Sequence, residues 1–229
     1  MLTQVRQVAN LKSTGDLDKD WLSGIARSLP SGASVLDAGA GQCQYQPMFA
    51  QQKYVAVDAC VGDPAWDFSQ IHIKAFLHDL PIDSSSFDYV ILMNVLEHLP
   101  NPWDVLRELG RVLRMGGEIY IAVPFSGREH QTPYDFYRYT RYGLEYLLKS
   151  AGFSVDYIQP VGGDVYRLWC VLSEMGFHFQ RSLMGRAYQL PMFALKLYLA
   201  RFKSRLETFE VDYAGTGAWH VKATRVAGA

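Results

Sequence analysis

The sequence has few cysteines, no long apolar run and almost no net charge, and each shortage removes a class of protein. Its three cysteines, Cys43, Cys60 and Cys170, are widely spaced and form no C-x-x-C pair. That excludes a disulfide framework or a zinc knuckle and fits reduced thiols in a cytoplasmic compartment. No stretch reaches the roughly 18–20 apolar residues of a membrane span. The nearest, "LPMFALKLYLARF", is interrupted by Pro191, Lys196 and Arg201. The opening residues, "MLTQVRQVANLKSTGD", lack the apolar centre of a signal peptide. A formal net charge of -1 leaves no electrostatic footprint for nucleic acid. These shortages predict a cytoplasmic protein without a nucleic-acid partner.

What is present is a core-forming composition, 49% apolar over 229 residues, enough for one domain with an insertion. "DLDKDWLSGIARSLP" places Trp21, Leu22, Ile25 and Leu29 at helical spacing, with Asp16 as a cap. "SVLDAG" and "YVAVDA" read as short buried strands, "IHIKAFL" as a third and "SFDYVILMNVL" as a fourth covered on both faces. "QYQPMFAQ" is a weak helix between the first two. "NPWDVLRELGRVLRMGG" is a helix stopped by Gly116-Gly117, followed by a strand, "EIYIAVP". "TRYGLEYLLKSAGF" and "SVDYIQP" repeat the alternation, and "GAWHVKATRV" is a last strand. Alternation of this kind predicts a Rossmann-like α/β fold: a mainly parallel sheet flanked by helices. Between about residues 162 and 212 the pattern turns helical, aromatic and apolar. The organisation expected is one domain over 1–229 with a helical insertion before the final strand.

Function reads most clearly at "SVLDAGAGQCQY". Gly39 and Gly41 form a strand-to-helix turn of the nucleotide-binding kind, but Gln44 stands where a dinucleotide turn has its third glycine. Asp37, two residues before the turn, would repel a pyrophosphate and favours a ligand with an ammonium and a sulfonium. S-adenosylmethionine is such a ligand. Asp58, at the end of the next strand, has the place of an acid that accepts ribose hydroxyls. An NAD(P)-dependent oxidoreductase is the enzyme alternative, opposed by Asp37 and Gln44.

On these residues the chain resembles the class I S-adenosylmethionine-dependent methyltransferases, in the group related to ubiquinone and menaquinone methyltransferases. The likeness covers about residues 30–158. It is strongest in "LPIDSSSFDYVILMNVLEHLPNPWDVLRELGRVLRMGGEIYIAVP". It implies a seven-stranded sheet with the last strand antiparallel. It also implies that Asp37, Gly39 and Gly41 hold the methionine end, that Asp58 holds the ribose, and that Asn94 lines the pocket. The backbone of Leu77 is implied to face the adenine. Phe76 replaces the acid that the family places there, with Asp79 nearby, and keeps a catalytically silent binding or scaffold protein as a second alternative. The E-x-x-E-H pattern with which some quinone-pathway relatives hold a metal has Asn94 in its first place here. Glu97 and His98 alone are too few for a metal site. No metal is expected, and His98 is given a packing or orienting role.

The acceptor side is expected in "GREHQTPYDFYRYT", on the rim beyond the strands' carboxyl ends. A similar H-x-x-P-Y-D-x-x-R-Y/F-T stretch recurs in a subgroup associated with glycan and cell-envelope biosynthesis. Methyl transfer to oxygen gains from a base, so His130 is the candidate base, with Asp135 orienting it or the acceptor. Arg138 either binds an acidic group of the acceptor or pairs with Asp135 to brace the loop. The expected acceptor is a small molecule or a glycan- or lipid-linked compound. The insertion carries Trp169, Phe177, Phe179, Tyr188, Phe193 and Tyr198. It also carries Arg181, Arg186, Lys196, Arg201, Lys203 and Arg205. It reads as a cap over the acceptor, as a homodimer interface, or as a peripheral contact with the inner membrane face.

Overall fold

The computed structural model describes residues 13–63, 65–163 and 216–227, with five single positions between them: Arg167, Pro191, Ala194, Leu195 and Tyr198. The expected helical insertion, with five of its six aromatics and all six of its basic residues, therefore lies outside the described residues. The five single positions are helical. The chain divides into two compact units, one of residues 18–159 and 218–229, the other of 1–17 and 160–217. In the second unit, the N–H of Val161 donates to Thr216 Oγ1 and that of Gly217 to the carbonyl of Val161.

The first unit is built on a seven-stranded sheet. Its strands are β1 (Ser34–Ala38), β2 (Lys53–Asp58), β3 (Ile73–Lys74), β4 (Phe87–Met93), β5 (Leu113–Pro124), β6 (Phe153–Val161) and β7 (Ala218–Arg225). Their order is β3-β2-β1-β4-β5-β7-β6. Strands β1 to β5 pair in parallel, and β7 runs antiparallel to β5 with Ile121 opposite Val221. This is the Rossmann-like sheet that the alternation predicts.

Period-two alternation explains the layers. Leu36, Val90, Leu92 and Ile119 face one way and pack on Val105, Leu106 and Leu109 of helix α2 (Pro102–Val112) and on Leu144, Leu147 and Leu148 of α3 (Arg141–Ser150). Val35, Ile91, Tyr120 and Ala122 face the other way, onto Leu22, Ile25 and Ala26 of α1 (Thr14–Ser28) and onto Phe49. The central strands are buried on both faces, so their sequence is an unbroken apolar run.

Three elements differ from the sequence expectation. "QYQPMFAQ" forms a single 3₁₀ turn, Gln46–Phe49, with Pro47 in its first turn. The third strand shrinks to Ile73 and Lys74. Helix α2 ends at Val112 rather than at Gly116-Gly117, because Leu113 is already extended, fully buried and paired with Phe87. Gly117 serves the strand: a Cβ there would lie 2.8 Å from the Arg114 carbonyl and 2.9 Å from that of Asp88, at an irregularity in the β4–β5 register. No described helix is long and apolar enough to cross a membrane.

Candidate active site

The carboxyl ends of β1, β2 and β4 bring Asp37, Asp58 and Asn94 to one edge of the sheet. The turn after β1 is closed by the N–H groups of Gly39 and Ala40, which donate to the Val57 carbonyl at 2.8 and 3.1 Å. Gly39 has a φ of +75°, and a Cβ on it would stand 2.6 Å from Val95 Cγ2. The turn thus packs against the segment that follows β4, and only glycine fits. Asp58 ties the turn from β2: one oxygen accepts the N–H of Gly41 at 2.9 Å, the other that of Cys60 at 2.6 Å.

Asp37 is 1% exposed, and its Oδ2 accepts a hydrogen bond from Tyr54 Oη at 2.5 Å. Burial pushes its carboxyl from 3.8 up to about 7; the Tyr54 bond opposes this and the neighbouring Asp58 adds to it. Tyr45 is buried and feels both Asp18 and Asp37. The environment of the turn is therefore acidic, and it favours a cation over a phosphate.

Asn94 follows β4 with a φ of +54°, and its amide nitrogen donates to Asp18 Oδ2 at 3.0 Å. Asp18 is itself 1% exposed and lies 2.7 Å from His220 Nε2, on whose ring Trp21 stacks at 4.1 Å. This link from α1 and β7 to Asn94 escaped sequence reasoning. Asp18 stands in an acidic and basic run, "DLDKD", where nothing separates the buried acid from the exposed ones. Leu77 is buried in the core. Phe76 beside it is 58% exposed and stacks on His78 at 5.6 Å.

The loop after β5, residues 125–140, docks on the segment after β4. The N–H groups of Phe136 and Tyr137 donate to the Glu97 carbonyl at 2.9 and 3.2 Å, and Tyr139 Oη donates to that of Leu96. Arg138 grips Asp135 with two hydrogen bonds of 2.6 and 2.8 Å and also donates to the carbonyls of Tyr137 and Arg128. The guanidinium holds the Asp135 carboxyl well below the usual carboxylate range. Its fork is committed to the loop, the bracing arrangement of the two that the sequence allows. Asp135 Oδ2 accepts the His130 N–H at 2.9 Å and lies 3.3 Å from its Nδ1. The 2.9 Å bond is from the His130 main chain; the ring Nδ1 also lies 3.2 Å from the Arg128 carbonyl, and Nε2 lies 3.9 Å from Glu97 Oε1.

Glu97 is fully buried, and neither carboxyl oxygen makes a hydrogen bond. Burial pushes it up to about 8. His98 Nδ1 lies 2.5 Å from the Tyr134 carbonyl, while its buried Nε2 makes no hydrogen bond and faces Glu97 Oε1 at 3.7 Å. Sequence reasoning counts two polar groups here. The fold supplies a third, His130.

The chain is similar to methyltransferases. The family model described as a methyltransferase domain matches residues 36–121, the stretch from β1 to β5. An uncharacterized methyltransferase from Mycobacterium sp. (strain JLS) is 30% identical over 127 residues, which is 51% of this chain and 50% of that one. The chain spans about half the length of the curated relatives it matches. Among solved structures, the 1,6-didemethyltoxoflavin-N1-methyltransferase of Burkholderia thailandensis, with 1,6-didemethyltoxoflavin and S-adenosylhomocysteine bound, superposes with a TM-score of 0.54 at 20% identity. It covers 89% of this chain and 76% of that one. The [4+2]-cyclase SpnF superposes with a TM-score of 0.58 at 19% identity, covering 91% and 81%. Both likenesses establish the fold; the second belongs to a protein named for a different reaction.

Proposed function

We propose that this chain transfers a methyl group from S-adenosylmethionine to oxygen on a small-molecule or glycan-related acceptor. The observation that carries the reading is Asp37, a buried carboxylate beside a glycine turn, with one oxygen taken by Tyr54 and Oδ1 left for a ligand. Burying an acid there is costly unless a cation meets it. The donor set fits an aminoacyl sulfonium nucleoside: Asp37 for the ammonium, the Gly39–Gly41 turn for the methionine end, and Asp58 for the ribose. Asn94 and the Leu77 backbone complete the pocket. When bound, S-adenosylmethionine supplies the methyl group on a cationic sulfur.

The chain's own task is alignment and proton removal. Asp135 holds the His130 ring, and His130 takes the proton of the acceptor hydroxyl. Arg138 keeps Asp135 in place. Phe76 stands exposed where relatives carry an acid and offers its ring face to the adenine.

Thermal melts with S-adenosylmethionine, S-adenosylhomocysteine and NAD test the reading. A ligand at about one hundred times its Kd adds roughly 2.7 kcal/mol, which raises the midpoint by roughly 5–10 °C. The two adenosyl ligands are expected to produce that shift and NAD none; a shift with NAD alone overturns the proposal. Binding of both adenosyl ligands with no methyl transfer across an acceptor panel supports the second reading, a silent binding protein, which Phe76 favours.

A further inference from the structure

We propose that Glu97, His98 and His130 form a site for one divalent transition-metal ion. Among the described residues, this is the one group of three potential ligands whose donor atoms lie within 4.8 Å of one another. Three of those atoms, both Glu97 oxygens and His98 Nε2, are buried without a hydrogen bond. The Arg138 guanidinium acts on the Glu97 carboxyl by charge alone, and a buried carboxyl without a hydrogen bond leaves its lone pairs for a further partner. The two histidines approach the same oxygen, Glu97 Oε1, at 3.7 and 3.9 Å, too far to hydrogen-bond with it.

The far sides of both rings are arranged as ligands require. His98 Nδ1 faces the Tyr134 carbonyl at 2.5 Å; a carbonyl only accepts, so Nδ1 carries the proton and Nε2 the free lone pair. His130 Nδ1 faces the Arg128 carbonyl at 3.2 Å and Asp135 Oδ2 at 3.3 Å, with Arg138 farther off at 3.4 Å. Its Nε2 is then the lone-pair nitrogen. Metal-binding histidines recurrently donate their other N–H to a carbonyl or carboxylate in this manner.

Two imidazoles and a carboxylate suit Zn²⁺, Co²⁺ or a similar first-row ion better than Mg²⁺ or Ca²⁺. A tetrahedral ion about 2.1 Å from each ligand needs ligand atoms about 3.4 Å apart. The site is wider, with both histidines 3.7–3.9 Å from Glu97 Oε1 and all ligand atoms within 4.8 Å, so binding draws all three side chains together, His130 with the most freedom because its side chain is 42% exposed on a loop. With the ion bound, the Nε2 lone pair of His130 is taken, so the metal-loaded form excludes His130 as the base of the methyl-transfer reading. The donor set differs from the linear E-x-x-E-H pattern. Asn94 donates to Asp18, and the third ligand arrives from the loop after β5.

The test requires neither cofactor nor acceptor, so it stands apart from the methyl-transfer reading. Tag-free protein, stripped with chelator, is titrated with Co²⁺ while visible absorption is followed, and with Zn²⁺ in equilibrium dialysis. One Co²⁺ per chain with visible ligand-field bands is expected. His130→Gln and Glu97→Gln are each expected to weaken binding at least about tenfold. His78→Gln, which changes an exposed histidine elsewhere, is expected to leave it unchanged. Circular dichroism checks folding; if Glu97→Gln fails to fold, the exposed His130 variant still decides. Lack of stoichiometric binding of either metal overturns the proposal, as does binding that His130→Gln leaves at the wild-type level.

Discussion

Asp37 concentrates the chemistry of the turn in one carboxyl group. Its folded pKa of about 7 exceeds the ordinary 3.8, so between those values the folded chain holds a proton that the unfolded chain has lost. The ligand-free protein is therefore expected to lose stability as pH rises from about 4 to about 7, by up to about 1.4 kcal/mol per pH unit. A cationic ligand reverses the preference, because it binds the ionised form. The Kd for S-adenosylmethionine should fall about eightfold between pH 6.0 and 7.5, a range in which most of the ligand's own amino group stays protonated. Calorimetric titration at both pH values checks this. Asp37→Asn should remove the pH dependence and weaken binding about tenfold or more. Gly39→Ala makes a different demand at the same turn. The added methyl meets Val95 at a positive φ, and urea unfolding should show a loss of about 1–3 kcal/mol. Asp37, Gly39, Gly41 and Asp58 are legible in the sequence because a strand followed by a glycine turn fixes their positions locally. Tyr54 is not, since its bond to Asp37 depends on the pairing of β1 with β2.

At the scale of elements, the site depends on segments that are distant in sequence and held by buried polar pairs. Asp18 on α1, His220 on β7 and Asn94 after β4 form one such link. His220→Ala leaves the buried Asp18 without its imidazole, and thermal unfolding should show a loss of roughly 2–3 kcal/mol. A double-mutant cycle of Asp18→Asn with His220→Gln should return a coupling of about 0.5–3 kcal/mol. The loop after β5 is a second case. Arg138→Gln leaves the Asp135 carboxylate unpaired, and the Phe136 and Tyr137 amides that donate to Glu97 should exchange their hydrogens at least about tenfold faster. Long periodic elements such as α2 and β4 are legible in the sequence. The start of β5 is not, because Leu113 continues the helical spacing of α2 and turns to strand only through its pairing with Phe87. The third strand is short for a related reason: at the sheet edge, Ile73 and Lys74 pair in register with β2, and His72 and Ala75 close the ends with single main-chain bonds.

At the scale of the whole molecule, β7 completes the sheet by entering between β5 and β6. It buries Trp219, whose indole N–H donates to the Tyr139 carbonyl at 2.8 Å, together with Val221 and Ala223. Losing a buried tryptophan alone costs about 3–5 kcal/mol, a large share of the roughly 5–15 kcal/mol that hold a domain together. A chain truncated before Ala218 should therefore lack a cooperative melt in circular dichroism. The sequence by itself determined the strand-helix alternation, the glycine turn and its two acids, because each rests on local periodicity or on neighbours a few residues apart. Only the tertiary structure decided that Asp18 is the buried acid of its run, that Arg138 braces Asp135, and that His130 meets Glu97 and His98. Those meetings join the ends of different strands, and no local pattern records which side chains a crossover will bring face to face.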